Sequence, residues 1–226
     1  MTLQPPARLA APWYVHPLEE PDAWRRLQAH RELAFAVVNV RNGFADDDEA
    51  YREVLEAPFA TPLLGYVDTS YGERTEAEIL AEAERWLALP SVRGILLDQV
   101  PSQLRQRNWQ LGTIDRLREL GAETVAANPG VLPDPHLIET ADVTCVMENN
   151  WLEFLHWQPS PSLLGTDPDR VWMLLHGVPK AEQTTALAVC AERGAGLAWV
   201  TAGRLPNPWA TLPAGWAGSA RATMRV

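Results

Sequence analysis

Two carboxylates stand at the ends of strongly apolar runs in this sequence. Asp98 follows the run in "GILLDQVP" (residues 94–101), and Glu148 follows the run in "VTCVME". An unpaired buried charge costs several kcal/mol, so such a residue needs a partner, a route to solvent or a chemical role. Two carboxyl groups that converge on one cleft shift each other's pKa values, which separates an acid from a base. We therefore predict that Asp98 and Glu148 form a catalytic pair in which one member has a raised pKa.

Six other apolar runs also end in a polar residue: His16, Asn39, Asp68, Asn128, His176 and Thr201. We expect Asp68, Asn128 and His176 to line the same cavity as the carboxylate pair and to bind substrate. We interpret His16, Asn39 and Thr201 as caps or as partners in loop hydrogen bonds.

Two loops beside these residues carry hydroxyl groups and aromatic rings. "YVDTSYGER" (66–74) supplies Tyr71, and "ENNWLEFLHW" (148–157) supplies Trp151 directly after the Glu148 run. The chain has ten tryptophans, of which Trp86 and Trp199 fit the core. Trp109, Trp151 and Trp157 either pack in the core or stack on a sugar ring.

Cofactor chemistry has weaker support in the sequence. Asp68, Asp98, Glu148 and His176 offer a mixed carboxylate and imidazole metal site, but no HxH or HExxH spacing accompanies them. The loops "HGVPK" and "TAGRLP" lack a glycine-rich phosphate cradle. The single lysine, Lys180, is expected to begin a helix and face solvent, which argues against a Schiff-base enzyme. We predict no metal and no cofactor.

A repeated unit must position these residues. An apolar run, a terminal polar residue, a turn rich in Pro, Gly and Asp, and an amphipathic stretch recur eight times along the chain. "TEAEILAEAERWLALP" opens with Thr75 and Glu78 at capping-box spacing, which is typical of a helix start. The stretches after the fifth and sixth runs allow only short helices. The pattern predicts one (β/α)8 TIM barrel over residues 1–226, in which all strand ends meet at one mouth. The competing arrangement is an open doubly wound sheet.

Composition narrows the classes of partner. With a net charge of −10 and a pI near 5.0, the chain is not expected to bind nucleic acid. No apolar run reaches the length of about 18 residues that a membrane span needs. The first residues lack the apolar core of a signal peptide, and Cys145 and Cys190 are interpreted as buried, unpaired thiols. We therefore expect a cytoplasmic protein, or a secreted one if the start of the chain was trimmed.

The motifs "LLGYVDTSYGER", "GILLDQV", "ANPG" and "VMENNW", in this order, resemble those of the spherulation-specific family 4. In that family the corresponding "GYV-x-TSYG", "D-E", "NPG" and "E-N" elements lie on a (β/α)8 barrel. The resemblance implies a glycoside hydrolase that acts on galactosamine-containing polysaccharide. By position, Asp98 matches the aspartate of the "D-E" pair and Glu148 matches the later glutamate. Gln99 replaces the acidic second residue, and a glutamine can bind a sugar hydroxyl but cannot donate a catalytic proton.

The sequence therefore predicts a glycoside hydrolase-like barrel that acts on an amino-sugar oligosaccharide or polysaccharide through Asp98 and Glu148. The expected substrate-binding residues are Asp68, Tyr71, Gln99, Asn128, Trp151 and His176. Two alternatives remain open at this stage. Gln99 favours a carbohydrate-binding barrel without catalysis, and the mixed ligand set allows a metal-dependent hydrolase.

Overall fold

The computed structural model describes residues 5–213, so both ends of the predicted 1–226 domain lie outside the described part. Its centre is a sheet of nine strands in which every pairing is parallel, in the order β1-β9-β8-β7-β6-β5-β4-β3-β2. The strands are β1 (Arg8–Leu9), β2 (Ala11–Trp13), β3 (Ala36–Val38), β4 (Leu63–Asp68), β5 (Val92–Asp98), β6 (Thr124–Asn128), β7 (Val143–Asn150), β8 (Val171–His176) and β9 (Leu197–Val200).

The first two strands are halves of one barrel strand. β1 pairs with β9, whereas β2 pairs with β3. Ala10 joins the two halves, and its N–H donates to the carbonyl of Ala198 on β9 (3.2 Å). The sheet therefore closes on itself, and the predicted (β/α)8 barrel is confirmed over the open doubly wound sheet.

The helices lie outside this ring of strands. They are α1 (Pro21–Ala29), α2 (Glu49–Glu56), α3 (Glu76–Leu87), α4 (Arg107–Glu119), α5 (Pro135–Thr140), α6 (Trp151–His156), α7 (Pro161–Leu164) and α8 (Gln183–Glu192). The predicted capping box is present, because Thr75 and Glu78 each bond the other's backbone at the start of α3. The helices after β6 and β7, the fifth and sixth barrel strands, are short, as predicted.

The first barrel strand departs most from the position that the sequence predicts. The run "PWYVH" predicts a strand that ends at His16, but the strand begins at Arg8 and ends at Trp13. Alanine and proline dominate residues 10–12, and both have low β-propensity. Closure of the barrel, rather than local preference, makes this segment a strand.

The interior of the fold confirms several predictions made for single residues. Trp86 and Trp199 are fully buried. Trp86 lies against Gly65 on β4, where any larger side chain would collide with its ring. Cys145 and Cys190 are both buried and free. Lys180 is exposed at the first residue of a short 3-10 turn before α8. Within residues 5–213, no helix is long and apolar enough to cross a membrane.

The carboxyl ends of the strands form one mouth, and this is where the polar residues lie. Asp68, Asp98, Asn128 and His176 are the last residues of β4, β5, β6 and β8. Glu148 lies two residues before the end of β7. Active sites of this fold are built at this end of the strands.

Candidate active site

Two adjoining cavities open at the mouth of the barrel. The inner cavity measures about 130 Å³, and its polar lining comes from Asn39, Asn42, Tyr66, Asp98, Asn128 and Glu148. The outer cavity measures about 420 Å³, and its lining includes His176 and the loop segment Leu205–Trp209. Tyr14, Glu148 and Trp209 line both cavities. A volume of this size suits a small ligand.

Asp98 lies in the inner cavity at the end of β5. Leu96 lines the same cavity because alternate residues of a strand face the same side. The hydroxyl of Tyr66 donates to Asp98 Oδ2 (2.6 Å). Burial raises the pKa of Asp98 to about 6, the negative charge of Glu148 adds to this effect, and the Tyr66 hydrogen bond opposes it. Asp98 is thus the member of the pair with the raised pKa that the sequence predicts.

Glu148 lies where the two cavities meet and is held by two N–H donors. The side-chain amide of Asn128 donates to Glu148 Oε2 (2.8 Å), and the indole of Trp209 donates to Oε1 (3.3 Å). The amide of Asn128 is itself oriented, because its Oδ1 accepts from the backbone of Gly130 (3.0 Å). The glutamate therefore has a fixed position at the border of the two cavities.

The sheet places the two carboxylates across one intervening strand. Asp98 on β5 is in register with Asn128 on β6, and Asn128 reaches Glu148 on β7. Strand spacing puts the backbones of β5 and β7 about 10 Å apart, and both side chains point into the inner cavity between them. The structure thus brings together Asp98, Asn128 and Glu148.

Asp68, Tyr71 and Gln99 lie at the mouth but line neither cavity. Asp68 accepts from the Asn42 amide (3.2 Å) and from the backbone of Ser70 (2.7 Å). Tyr71 is exposed, and its N–H donates to the carbonyl of Gln99 (2.7 Å). Ser70, Tyr71 and Gln99 all have positive φ, a strained conformation that often clusters at functional sites. Direct substrate contact by these three predicted residues remains a prediction.

His176 ends β8 and lines the outer cavity. Its ring meets the Trp209 ring edge to face at 6.0 Å. Burial lowers the pKa of His176, and the nearby Glu148 partly opposes this effect. The imidazole is therefore mostly neutral near pH 7 and can both donate and accept a hydrogen bond.

Trp151 is not brought to either cavity. Its indole donates to Glu182 (2.7 Å), and its ring stacks on Phe154 at 6.0 Å in a buried cluster. The cause is the length of β7, which continues past Glu148 to Asn150, so that Trp151 begins α6 in the helix layer. Trp109 and Trp157 likewise pack against core clusters.

Sequence reasoning missed several residues that line the inner cavity, among them Tyr14, Asn42, Tyr66 and Trp209. A signal for Tyr66 existed, since it stands two residues before Asp68 on the same strand. No signal identified Trp209, which lies in the loop after the last strand. Thr201 takes part in a loop hydrogen bond, as interpreted from the sequence, because its hydroxyl donates to the carbonyl of Thr211 (2.6 Å).

The other two residues interpreted as caps or loop partners behave differently from each other. His16 bonds Asp48 (3.1 Å), the N-cap of α2. Asn39 accepts from the backbone of Gly43 (2.9 Å) and also lines the inner cavity.

In the described part of the chain, no group of three or more His, Cys, Asp or Glu side chains could hold a metal ion. Asp68, Asp98, Glu148 and His176, the mixed ligand set that the sequence left open as an alternative, are therefore not grouped as metal ligands in this part of the chain.

Comparison with known proteins agrees with this architecture. The sequence model of the spherulation-specific family 4 matches residues 8–223. Spherulin-4 of Physarum polycephalum is 24% identical over 174 residues, which cover 71% of this chain and 52% of that protein. The chain thus spans about half the length of this curated relative.

Two solved structures share the fold. Sph3 of Aspergillus clavatus, crystallised in complex with GalNAc, superposes with a TM-score of 0.79 at 24% identity, covering 96% of this chain and 97% of Sph3. Type I 3-dehydroquinate dehydratase of Clostridium difficile gives a TM-score of 0.52 at 13% identity, covering 93% of this chain and 89% of the dehydratase. At these identities the likeness shows the barrel fold.

Proposed function

We propose that this chain, which belongs to the spherulation-specific family 4, is a glycoside hydrolase-like barrel for amino-sugar oligosaccharides or polysaccharides. The observation that carries the proposal is the convergence of Asp98 and Glu148 on one cavity. Most glycosidases place two carboxyl groups on either side of the scissile bond. The presence of GalNAc in the related Sph3 structure supports a galactosamine-type sugar as the ligand.

The two carboxyl groups take different roles in this proposal. Asp98, whose pKa is about 6, holds a proton for part of the time near neutral pH and donates it to the glycosidic oxygen. Glu148 acts on the other face of the sugar, either on a water molecule or directly on the anomeric carbon. Asn128 and Trp209 hold Glu148 in place through their N–H groups. His176 is available in the outer cavity to bind a sugar hydroxyl.

Hydrolysis of defined oligomers tests the proposal. Purified protein is incubated with galactosamine and N-acetylgalactosamine oligomers, and products are measured by mass spectrometry. Asp98→Asn and Glu148→Gln should each lower turnover by orders of magnitude without loss of folding. Glu84→Gln, an exposed carboxylate on α3, is the matched control and should retain full turnover. Turnover that persists in both amide variants of the pair would defeat the assignment.

Gln99 favours a second function, carbohydrate binding without catalysis. Its side-chain amide stands where the family often has a carboxylate, and its backbone carbonyl accepts from Tyr71 and Thr69. This rival function predicts saturable oligosaccharide binding, no hydrolysis by the wild type, and binding that survives both amide substitutions. The hydrolase proposal instead predicts that Gln99→Glu leaves turnover unchanged or raises it.

A further inference from the structure

Tyr66 has one hydroxyl hydrogen and two acceptor oxygens within reach. Its hydroxyl oxygen lies 2.6 Å from Asp98 Oδ2 and 3.2 Å from Asn42 Oδ1. A phenol donates one hydrogen bond and can accept another. While Asp98 is ionised, its carboxylate and the Asn42 carbonyl therefore compete for the same hydrogen.

The Asn42 side chain cannot relieve this competition by turning over. Its Nδ2 donates to Asp68 Oδ2 (3.2 Å), and an ionised carboxylate only accepts. Asp68 is held in turn, because its other oxygen accepts from the backbone of Ser70 (2.7 Å). The amide nitrogen of Asn42 thus faces Asp68, and the amide oxygen faces Tyr66.

We propose that Asn42 is a positioning residue which, through Tyr66, favours the protonated form of Asp98. With a proton on Oδ2, Asp98 donates to the Tyr66 oxygen, and the Tyr66 hydroxyl turns to donate to Asn42 Oδ1. The oxygen atoms of Asp98, Tyr66 and Asn42 are then all hydrogen-bonded. When Asp98 is ionised, Tyr66 donates to it, and the Tyr66 oxygen faces the Asn42 oxygen with no hydrogen between them. The Asn42 contact thus offsets part of the preference that the Tyr66 hydrogen bond gives to the ionised form of Asp98.

Among the other titratable groups around Asp98, the two carboxylates raise its pKa and the Tyr66 hydrogen bond lowers it, while the phenols and the thiol stay neutral. These groups are Tyr66 and Asp68 on β4, Glu148 and Cys145 on β7, and Tyr14 after β2. Asp68 and Glu148 disfavour a further negative charge on Asp98. Burial, with the charge of Asp98, raises the pKa of Tyr66 and of Tyr14 well above the usual range, so both remain neutral phenols.

The effect of Asn42 on the protonation of Asp98 does not depend on the proposed function. Only the consequence for glycosidic-bond cleavage rests on it. In the reaction, the Asp98 O–H turns from the Tyr66 oxygen to the glycosidic oxygen and transfers its proton there. The bond from that oxygen to the anomeric carbon breaks, and the anomeric carbon forms a new bond to the Glu148 carboxylate or to a water molecule that Glu148 deprotonates. As the proton leaves, the Tyr66 hydroxyl turns from Asn42 to Asp98 without losing its own hydrogen. The new carboxylate thus gains a donor at the moment when it becomes charged.

Direct titration of Asp98 tests the inference without reference to hydrolysis. The protein is labelled with 13Cγ-aspartate, the Asp98 signal is assigned with the Asp98→Asn variant, and its chemical shift is followed against pH. Asn42→Gly suits the positive φ of 55° at this position and removes the acceptor oxygen. We expect it to lower the pKa of Asp98 by roughly half a unit or more. Asn42→Asp, which retains an acceptor and adds negative charge, should raise the pKa of Asp98.

The Tyr66→Phe background isolates the contribution that passes through the phenol. In that background Asn42→Gly should leave the pKa of Asp98 unchanged, because the hydroxyl that couples the two residues is absent. Asn207→Gly, in the outer cavity, is the matched control and should not shift the pKa. An unchanged Asp98 pKa in Asn42→Gly, or an equal shift with and without Tyr66, would overturn the inference. If Asn42→Gly lowers the pKa of Asp98 as expected but the wild type hydrolyses no oligomer, only the proposed function is contradicted.

Discussion

The inner and outer cavities share Tyr14, Glu148 and Trp209 but are built by different means. Strand ends and strand-borne side chains supply most of the inner lining, and hydrogen bonds connect Asp98 with Tyr66 and Glu148 with Asn128. The loop after β9 supplies most of the outer lining, with Leu205 exposed at its rim. The barrel itself therefore holds the two carboxylates, whereas a loop shapes the space next to them. If the proposed function holds, this division separates the groups that carry out the chemistry from the loop that selects the substrate.

The largest expected effect concerns the buried charge in the inner cavity. The pKa of Asp98 rises from 3.8 to about 6 in the folded protein, so the folded state binds this proton more tightly than the unfolded state. The corresponding stability is present below about pH 4 and is lost as the pH rises through 6, at a total cost of up to roughly 3 kcal/mol. Asp98→Asn, which keeps an acceptor for Tyr66, should avoid this loss.

Urea unfolding at pH 4.5 and pH 7.5 measures the difference. The free energy of unfolding of Asp98→Asn should exceed that of the wild type clearly at pH 7.5 and much less at pH 4.5. Glu84→Gln on the exposed face of α3 should give the same difference from wild type at both pH values. A pH-independent gap between Asp98→Asn and the wild type would contradict a strongly desolvated Asp98.

Trp209 tests how far the outer loop controls the inner chemistry. Trp209→Phe keeps an aromatic ring but removes the N–H that donates to Glu148. A hydrogen bond to a charged group contributes about 1.5–3 kcal/mol, so we expect turnover to fall by roughly 10- to 100-fold. The affinity for a bound oligosaccharide should change far less. A pure loss of affinity with unchanged kcat would show that Trp209 serves only the outer cavity.

A smaller effect is expected at the base of the same loop. Thr201 donates to the carbonyl of Thr211 and accepts from the backbone of Gly203. Thr201→Val preserves the shape of the side chain but removes both bonds, which loosens the loop by about 1 kcal/mol each. KM should rise several-fold while kcat stays nearly constant. Thr201→Ser, which keeps the hydroxyl, is the control and should behave like the wild type.

No effect on activity is expected at Lys180, which is exposed beyond β8. Lys180→Ala should leave turnover within a few-fold of the wild type, because the proposed reaction uses no amine of the protein. Borohydride treatment in the presence of a carbonyl substrate should not trap an adduct on this residue. Loss of turnover or a trapped adduct would point to Schiff-base chemistry instead.

The residues at the strand ends of the inner cavity were predictable from sequence, and the loop that lines the outer cavity was not. Asp98, Asn128 and Glu148 follow apolar strands, and parallel strands in a barrel bring their carboxyl ends to one mouth. Trp209 follows a loop whose path depends on tertiary contacts such as Thr201 with Thr211. Such contacts leave no periodic pattern in the sequence.

Trp151 shows how the uncertainty in a predicted strand end affects the side chains that follow the strand. The sequence places it three residues after Glu148, close to the mouth. Because β7 continues for two residues past Glu148 and α6 begins directly after it, Trp151 lies in the helix layer. Strand ends are predicted only to within a few residues, and a shift of that size decides whether a side chain faces substrate or core.

The split first strand has a consequence for the order in which the chain can fold. Arg8 and Leu9 pair with Leu197 and Ala198, so the ring of strands closes between the two extremes of the sequence. Neighbouring strands from β3 to β9 can associate as they emerge from the ribosome, but β1 has no partner until β9 has been made. Contacts of such long sequence separation slow folding. Until that last pairing forms, the nascent barrel carries open strand edges that invite association with other chains.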